Sequence, residues 1–506
     1  MRQTLRVLTL LMLPGVLAAQ SSTSVQRAVQ SITPDDIRRR IGIIADDSMR
    51  GRDTPSPELE KVAAYIASEF RRVGLKPGGE NGTFLQRYSL DRVQFVAESS
   101  VALVHGGGDA TLTYGRDFVF GDNMFESGDY AGGLVLLTGS MGAVTQLDTA
   151  ALAGKMLVVA ARVRSRAERQ RLFGWRPAGV IVLASVPDSL WATVVERTGR
   201  PGLRDPSRRV GPPLVLTVRT AALAPTLTRL GADSVAVQQA AQAGAPLVAQ
   251  PLGDAQLHVH ARIRAVERAS APNVVGILEG SDPRLKREYL LLSAHMDHVG
   301  VGRPVNGDSI YNGADDDASG TTAVVEAAEA FAQLQPRPKR SIIFLTVSGE
   351  EKGLWGSAYF ADHPPVPIAD IVADLNSDMV GRNWKDTIVV IGKEHSDLGA
   401  TLNRVGAAHP ELHMQPIDDI WPQESFYTRS DHYNFARQGV PILFFFNGTH
   451  PDYHRPSDSV DKIDAEKESR IVKLVFYLGL DVANAADRPK WNPDSYKQIV
   501  TGAGPH

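Results

Sequence analysis

A repeated alternation of apolar strand, polar loop and amphipathic helix begins at Asn273 and constrains the fold most. Continuously apolar strands joined by helices are typical of a parallel sheet that is covered on both faces. We therefore expect an α/β fold in which a mostly parallel central sheet has helices on both faces. The predicted strands are Tyr289–Ala294, Ser341–Val347, Ile371–Leu375 and Val440–Phe446, and the predicted helices are Ser319–Leu334, Gly353–Phe360, Leu398–Ala408 and Ala465–Ala483.

The length of 506 residues suggests more than one domain. Between residues 121 and 262, short apolar runs alternate with small helical segments, which predicts an inserted, smaller α/β domain. The main domain is then discontinuous, over residues 30–120 and 263–486. Residues 487–506 are polar and are interpreted as a C-terminal extension on the surface.

The first 19 residues have the features of a signal peptide. Arg2 and Arg6 precede the apolar run Val7–Leu17, and the small residues Ala18 and Ala19 follow it. We expect an exported protein, periplasmic or secreted, with no stable membrane anchor after cleavage. The net charge of −3 disfavours nucleic acid as a partner, and the absence of cysteine leaves His, Asp and Glu as the possible metal ligands.

Acids and histidines follow every strand of the predicted sheet. His295 follows the first, Glu350 and Glu351 the second, Asp378 the third and His454 the fourth, while Asp316 lies in an acidic run before a helix. Taken singly, such acids are often helix caps, and such histidines are often loop residues. Together they predict a metal site at the carboxyl edge of the sheet. Nitrogen and oxygen ligands suit zinc, although cobalt or manganese is possible.

Five motifs in fixed order, HMD, GADDDASG, SGEE, NSDM and YHRPSD, lie within residues 270–465. They resemble the dizinc exopeptidases of zinc peptidase clan MH, which include secreted bacterial aminopeptidases and glutamate carboxypeptidase. The resemblance implies two zinc ions per chain bridged by Asp316, with His295 and Asp378 on one ion and Glu351 and His454 on the other. It also implies that Glu350 is the catalytic base, that Tyr453 hydrogen-bonds the oxyanion and that Asp297 orients His295. The inserted segment resembles a protease-associated (PA) domain.

The expected function is an exported metallo-exopeptidase that removes N-terminal residues from peptides, with a metal-bridging water activated by Glu350. A carboxypeptidase or dipeptidase of the same family is the nearest competing hypothesis. A carboxypeptidase for acidic residues would need an arginine cluster, for which Arg382, Arg429 and Arg455 are available. A one-zinc glutaminyl cyclase, a dizinc deacylase and a noncatalytic receptor-like binding protein also compete with the aminopeptidase. The oligomeric state is left open.

Two further groups of residues are candidates for lesser roles. His298 is interpreted as a loop residue, and the resemblance places His432 in a segment that borders the substrate pocket, so neither is expected to bind metal. His450 competes with His454, but only His454 heads the Tyr-His-x-Pro-x-Asp arrangement. The candidates for a substrate pocket are Trp355, Trp421, Phe426, Tyr427, Ser430 and Asp431.

Overall fold

The computed structural model describes residues 23–96, 100–104, 110–121, 125–141, 147–160, 163, 166–207, 213–232, 239 and 245–502. The predicted signal peptide lies outside these residues. The chain divides into two compact units, the first formed by Met1–Tyr88 with Ser270–His506 and the second by Ser89–Ala269. Among the described residues, no helix has the length and apolar content that crossing a membrane requires.

Four adjacent parallel strands form the centre of the sheet in the first unit. They are β1 (Tyr289–His295), β2 (Ser341–Val347), β3 (Ile371–Ser377) and β4 (Ile442–Phe445), and their order across the sheet is β4-β3-β1-β2. Almost every residue in them is buried, which explains their continuous apolar sequence. The sheet continues through Thr387–Ile391 and Gln415–Ile417 beyond β4, and through Ile263–Leu278 and Leu85–Phe95 beyond β2.

Helices cover both faces of this sheet, as the sequence predicts. On one face, the Phe331 ring packs against Phe344 of β2 and Phe476, at centroid distances of 6.1 and 4.6 Å. On the other face, Phe360 and Phe435 share a core with Leu291. The helices of this unit include residues 23–30, Pro34–Ile44, Pro57–Arg72, Gly320–Ala332, Trp355–Asp362, Leu398–Ala408, His432–Arg437, Ala465–Asn484 and Pro493–Tyr496.

The second unit is a separate α/β body with its own sheet and core. Its strands, in order across the sheet, are Ala110–Thr113, Ser100–Val104, Val248–Ala261, Gly128–Thr138, Met156–Val159, Gly179–Ala184, Leu214–Arg219 and Phe118–Phe120. Within the described residues of this unit, the helices with given bounds are Arg166–Gly174, Asp188–Thr198 and Thr220–Arg229.

Two predicted boundaries need correction. The second unit begins at Ser89 and ends at Ala269, whereas the sequence suggested residues 121 and 262. Strands at 100–104, 110–113 and 118–120 belong to the second sheet because they pair with partners in that unit. The tail after residue 486 is also more than a surface extension: Ile499 is buried in the core of the first unit, and the Trp491 indole N–H donates to the Gly439 carbonyl at 2.8 Å.

Candidate metal centre

The carboxyl ends of β1 to β4 open at the same edge of the sheet, because the strands are adjacent and parallel. His295 is the last residue of β1. Asp378 comes directly after β3, and Glu350 and Glu351 follow β2 by a short turn. His454 lies in the longer loop after β4. The topology therefore brings together residues that are up to 159 positions apart in the sequence, from 295 to 454.

The ligand atoms of these residues form two groups that share Asp316. In the first group, His295 Nε2 lies 3.3 Å from Asp316 Oδ1 and 3.6 Å from Asp378 Oδ1. In the second, His454 Nε2 lies 3.1 Å from Asp316 Oδ2 and 3.2 Å from Glu351 Oε2. Within each group, the possible ligand atoms lie within 4.8 Å of one another. The structure thus brings together all five sequence-predicted ligands in the predicted pairing.

His298 joins the second group, although the sequence interpretation gave it no ligand role. Its Nδ1 lies 2.9 Å from Glu351 Oε1, and its side chain is fully buried. Gly313 makes room for this ring: it has a φ of +60°, and a Cβ there would lie 2.5 Å from the His298 ring. One sequence feature could have identified His298: it comes one residue after Asp297, in the loop that follows β1 at the carboxyl edge of the sheet. His450 is not in either group; its Nε2 lies 3.2 Å from Asp315 Oδ2.

The three consecutive acids at 315–317 have different roles. Asp317 accepts three backbone N–H groups, from His295 at 3.2 Å, Gly320 at 2.8 Å and Met379 at 3.1 Å. Asp315 accepts the Gly381 N–H at 2.7 Å. Only Asp316 belongs to the ligand groups. Asp315 and Asp317 thus hold the loops that follow β1 and β3 in place beside Asp316.

Arg52 connects the loops that carry the candidate ligands, a role that was not predicted from the sequence. Its buried guanidinium donates to the backbone carbonyls of Met296 at 2.8 Å, Gly313 at 2.7 Å and Asp316 at 3.3 Å, and also to that of Asn312. These carbonyls lie in the loop after β1 and in the acidic turn. Arg52 therefore holds the segment of His295 and the segment of Asp316 in a fixed relation.

Asp297 is held by two other segments of the chain. The Thr54 hydroxyl donates to its Oδ2 at 2.8 Å, and the Glu350 N–H donates to its Oδ1 at 3.3 Å. His295 Nδ1 lies 3.2 Å from the Asp297 backbone carbonyl and 3.8 Å from Oδ1. In this structure, the nearer acceptor for the His295 ring is thus the carbonyl rather than the carboxylate, and the carboxylate mainly positions the turn of Glu350.

The acids shift the pKa values of the groups they surround. Burial alone would raise the pKa of Asp316, but His298, His295 and His454 together hold it well below its usual value. Burial opposes charge on His454 as well, yet hydrogen bonds to Asp316 and Glu351 raise its pKa to about 10. The site therefore favours positive charge between these carboxylates.

Glu350 differs from its neighbour Glu351. Burial raises the pKa of Glu350 well above its usual value, and the nearby carboxylates of Glu351, Asp431 and Asp378 raise it further. Glu350 lines the small cavity, of about 40 Å³, that adjoins the first ligand group, whereas Glu351 belongs to the second group. A carboxyl group with a raised pKa beside metal ligands is suited to accept and donate a proton.

Aromatic and polar side chains form the rest of this cavity. Of the six pocket candidates from the sequence, Phe426 and Ser430 are among its described lining residues. Trp421 lies behind the lining, with its ring 5.8 Å from that of Phe426. Trp355, Tyr427 and Asp431 lie elsewhere. The full lining is His295, Asp316, Glu350, Asp378, Met379, Phe426, Arg429, Ser430, Phe444, Phe446, Thr449 and Tyr453.

The donor atoms fit a divalent metal ion. Asp316 Oδ2, Glu351 Oε1 and Asp378 Oδ1 are buried, and the imidazole nitrogens that approach them among the described residues, at 3.1, 2.9 and 3.6 Å, do not form well-aligned hydrogen bonds with them. Buried carboxylate oxygens without donors are costly unless a cation satisfies them. Carboxylate oxygens and imidazole nitrogens, with no sulfur, are ligands typical of catalytic zinc.

Of the three arginines available for a carboxylate-binding cluster, only Arg429 lines the cavity. Arg382 pairs with Asp452 at 3.0 Å, and Arg455 is exposed. The arginine cluster expected of a carboxypeptidase for acidic residues is therefore not formed by these three residues.

The fold and the donor set define an α/β protein with a candidate metal centre at the carboxyl edge of its sheet. The model of Peptidase family M28 matches residues 273–479. This match confirms the resemblance to zinc exopeptidases over these residues.

Relatives and one solved structure agree with this assignment. A probable zinc metalloprotease of Pyrenophora tritici-repentis is 40% identical over 260 residues, covering 43% of this chain and 53% of that protein. A probable leucine aminopeptidase of Arthroderma otae is 26% identical over 222 residues, covering 42% and 58%. The chain thus spans about half the length of these curated relatives. The aminopeptidase from Aneurinibacillus sp. strain AM-1 has a similar fold, with a TM-score of 0.51 and 18% identity, over 93% of this chain and 98% of that one.

Proposed function

We propose that this protein is an exported dizinc aminopeptidase that hydrolyses the first peptide bond of its substrates. The observation that carries the proposal is the sharing of Asp316 by two groups of ligand atoms, His295 with Asp378 and Glu351 with His454. One carboxylate with two oxygens is suited to bridge two ions. The names of the relatives, zinc metalloprotease and leucine aminopeptidase, support zinc and the N-terminal end of a peptide.

Two residues of the chain, Glu350 and Tyr453, carry the proton and charge movements of the proposed reaction. Zinc ions, when bound, lower the pKa of water and stabilise negative charge on the substrate carbonyl oxygen. Glu350 accepts the proton of the attacking water and passes it to the leaving amine. The Tyr453 hydroxyl, in the same cavity, donates a hydrogen bond to the oxyanion. Burial raises the pKa of Tyr453 far above its ordinary value, so it stays protonated as this role requires.

Restriction to the N-terminus follows from charge. The free α-amine of a peptide would be held by a metal ion bound in the cavity or by the carboxyl groups that line it, those of Asp316, Glu350 and Asp378. A blocked amine cannot be held in this way. A carboxypeptidase would instead need cationic groups at this position, and of Arg382, Arg429 and Arg455 only Arg429 lines the cavity.

Hydrolysis of aminoacyl p-nitroanilides by the purified mature protein tests the activity. We expect release from free-amine substrates but not from N-acetylated ones, loss of activity on chelation and its return with zinc. Activity on N-blocked substrates with a free carboxyl end would instead favour the carboxypeptidase. Binding of zinc with no hydrolysis of any substrate would favour a noncatalytic binding protein.

Matched variants of the adjacent residues Glu350 and Glu351 distinguish the role of a catalytic base from that of a metal ligand. Glu350→Gln is expected to lower kcat by about 10²- to 10⁴-fold while two zinc ions stay bound. Glu351→Gln is expected to lower both the bound zinc and the activity, because Glu351 belongs to a ligand group. Metal analysis after dialysis measures the zinc. Full zinc binding by Glu351→Gln, or loss of zinc from Glu350→Gln, would contradict these roles.

Export and the identity of the second unit complete the proposal. Cleavage of the signal peptide after Ala18 or Ala19 is tested by N-terminal sequencing of the protein recovered from periplasm and medium.

The second unit is proposed to be a protease-associated domain on the resemblance of its sequence. Its own sheet and core make it a distinct unit that can be deleted as a whole to measure its effect on substrate selection.

A further inference from the structure

One cationic side chain stands out among the described residues that line the cavity. Apart from His295, the charged groups there are the acids Asp316, Glu350 and Asp378, whereas Arg429 contributes a permanent positive charge. A cavity that has acids on one part of its wall and a guanidinium on another is complementary to a substrate that carries both signs of charge.

The surroundings of Arg429 leave its N–H donors available. Its guanidinium carbon lies 4.6 Å from the centre of the Phe426 ring, so the ring covers one face of the guanidinium plane. Within the described chain, its one ion pair is with Glu424 at 3.7 Å, which exceeds hydrogen-bond distance, and the Glu424 side chain is 54% exposed. The edge of the guanidinium, which carries the five N–H donors, is therefore not saturated.

On this basis we propose that Arg429 binds a carboxylate of the substrate and that the enzyme favours peptides whose carboxylate lies close to the scissile bond. This inference rests on the proposed aminopeptidase function and adds a substrate class to it. Two sources share this chemistry: the side chain of an N-terminal Asp or Glu, and the free C-terminus of a dipeptide. Arginine suits either, since its planar fork matches a carboxylate in a bidentate pair.

Pairs of isosteric substrates test the proposal and separate the two sources. The first pair is Glu-p-nitroanilide and Gln-p-nitroanilide, and the second is Leu-Gly and Leu-Gly-amide. The measured quantity is the ratio of kcat/KM for the charged substrate to that for its neutral partner. Arg429→Gln is expected to lower this ratio by about 10- to 100-fold in one pair, the size typical of a lost hydrogen bond to a charged group.

A matched control and a second variant keep the result interpretable. Arg404 is 61% exposed, pairs with Asp481 and does not line the cavity, so Arg404→Gln should leave both ratios unchanged. Glu424→Gln removes the carboxylate that competes for Arg429, and the affected ratio should rise about twofold. This variant decides the question if Arg429→Gln does not fold.

Each outcome has one meaning. A fall in the first ratio identifies the side chain of the N-terminal residue, and a fall in the second identifies the C-terminus of a dipeptide. Unchanged ratios in Arg429→Gln, with Gln-p-nitroanilide and Leu-Gly-amide still hydrolysed, would overturn this inference but not the aminopeptidase. If the wild-type protein hydrolyses none of the four substrates, the proposed function itself fails.

Discussion

Replacement of Arg52 by methionine would test how the metal-binding loops are held in place. The guanidinium is fully buried and donates to four backbone carbonyls, those of Met296, Asn312, Gly313 and Asp316. Methionine fills similar space but has no donor. The substitution therefore removes the hydrogen bonds that join the loop after β1 to the acidic turn.

The expected loss of stability follows from the number of acceptors left without donors. Each buried acceptor without a donor costs about 1–3 kcal/mol, and the costs are not additive within one network. Removal of one partner of a buried charged network typically costs about 3–5 kcal/mol, and we expect the same range for the free energy of unfolding of Arg52→Met. Since the two loops carry His295 and Asp316, zinc affinity should fall by about 10- to 100-fold, as for other groups that position metal ligands.

Urea denaturation and competition with a zinc chelator measure the two effects. Arg340 is the matched control, because it is equally buried and donates to Glu288 and to the carbonyls of Val482 and Ala485, none of which belongs to the ligand groups. Arg340→Met should destabilise the protein similarly but leave zinc affinity unchanged. A wild-type zinc affinity in folded Arg52→Met, or an equal loss of affinity in Arg340→Met, would refute the positioning role of Arg52.

Three other predictions concern single side chains of the first unit. Asp317→Asn is expected to lower the free energy of unfolding by about 1–3 kcal/mol, because the NH₂ group of asparagine cannot accept one of the three backbone N–H groups that donate to Asp317. Two zinc ions should still bind to this variant. His454→Ala should lose zinc, and His450→Ala should retain it; metal analysis of the two variants would contradict the ligand assignment if the results were reversed. Burial lowers the pKa of His432 to about 3, against 6.5 when unfolded, so stability is fully present above pH 6.5 and is lost as the pH falls toward 3. His432→Gln should remove about 1.4 kcal/mol per pH unit from that slope in denaturation curves, and an unchanged slope would argue against this histidine as its source.

The central sheet and its helices were largely predictable from the sequence. The strand Ser341–Val347 and the helix Leu398–Ala408 have the predicted bounds, and the other central elements differ by a few residues at their ends. The strands are recognisable because burial on both faces makes them continuously apolar. The start of the second unit was predicted wrongly because short β-rich runs do not reveal which sheet they will join; pairing at Ser100–Val104 with the strand Val248–Ala261 decides this.

The five candidate ligands were predicted by residue type and position, but their surroundings were not. Four motifs after strands and one before a helix lead to His295, Asp316, Glu351, Asp378 and His454, which the structure brings close together. His298 was missed because a loop histidine carries no local signal of where its ring will point. Gly313, by omitting a side chain, allows that ring to reach Glu351.

By itself, the sequence determined the order of strands and helices along the chain, the placement of acids and histidines after strands, and the resemblance to a peptidase family. Local periodicity and strand-end motifs encode these properties, since both depend on neighbours along the chain. Only the tertiary structure decided which of three adjacent acids faces the ligands, and that a distant arginine holds two loops. Arg52 contacts segments more than 200 residues away, at Met296 and Asp316, and the acids at 315–317 contact the loops after β1 and β3; such contacts form only when the sheet brings the segments together.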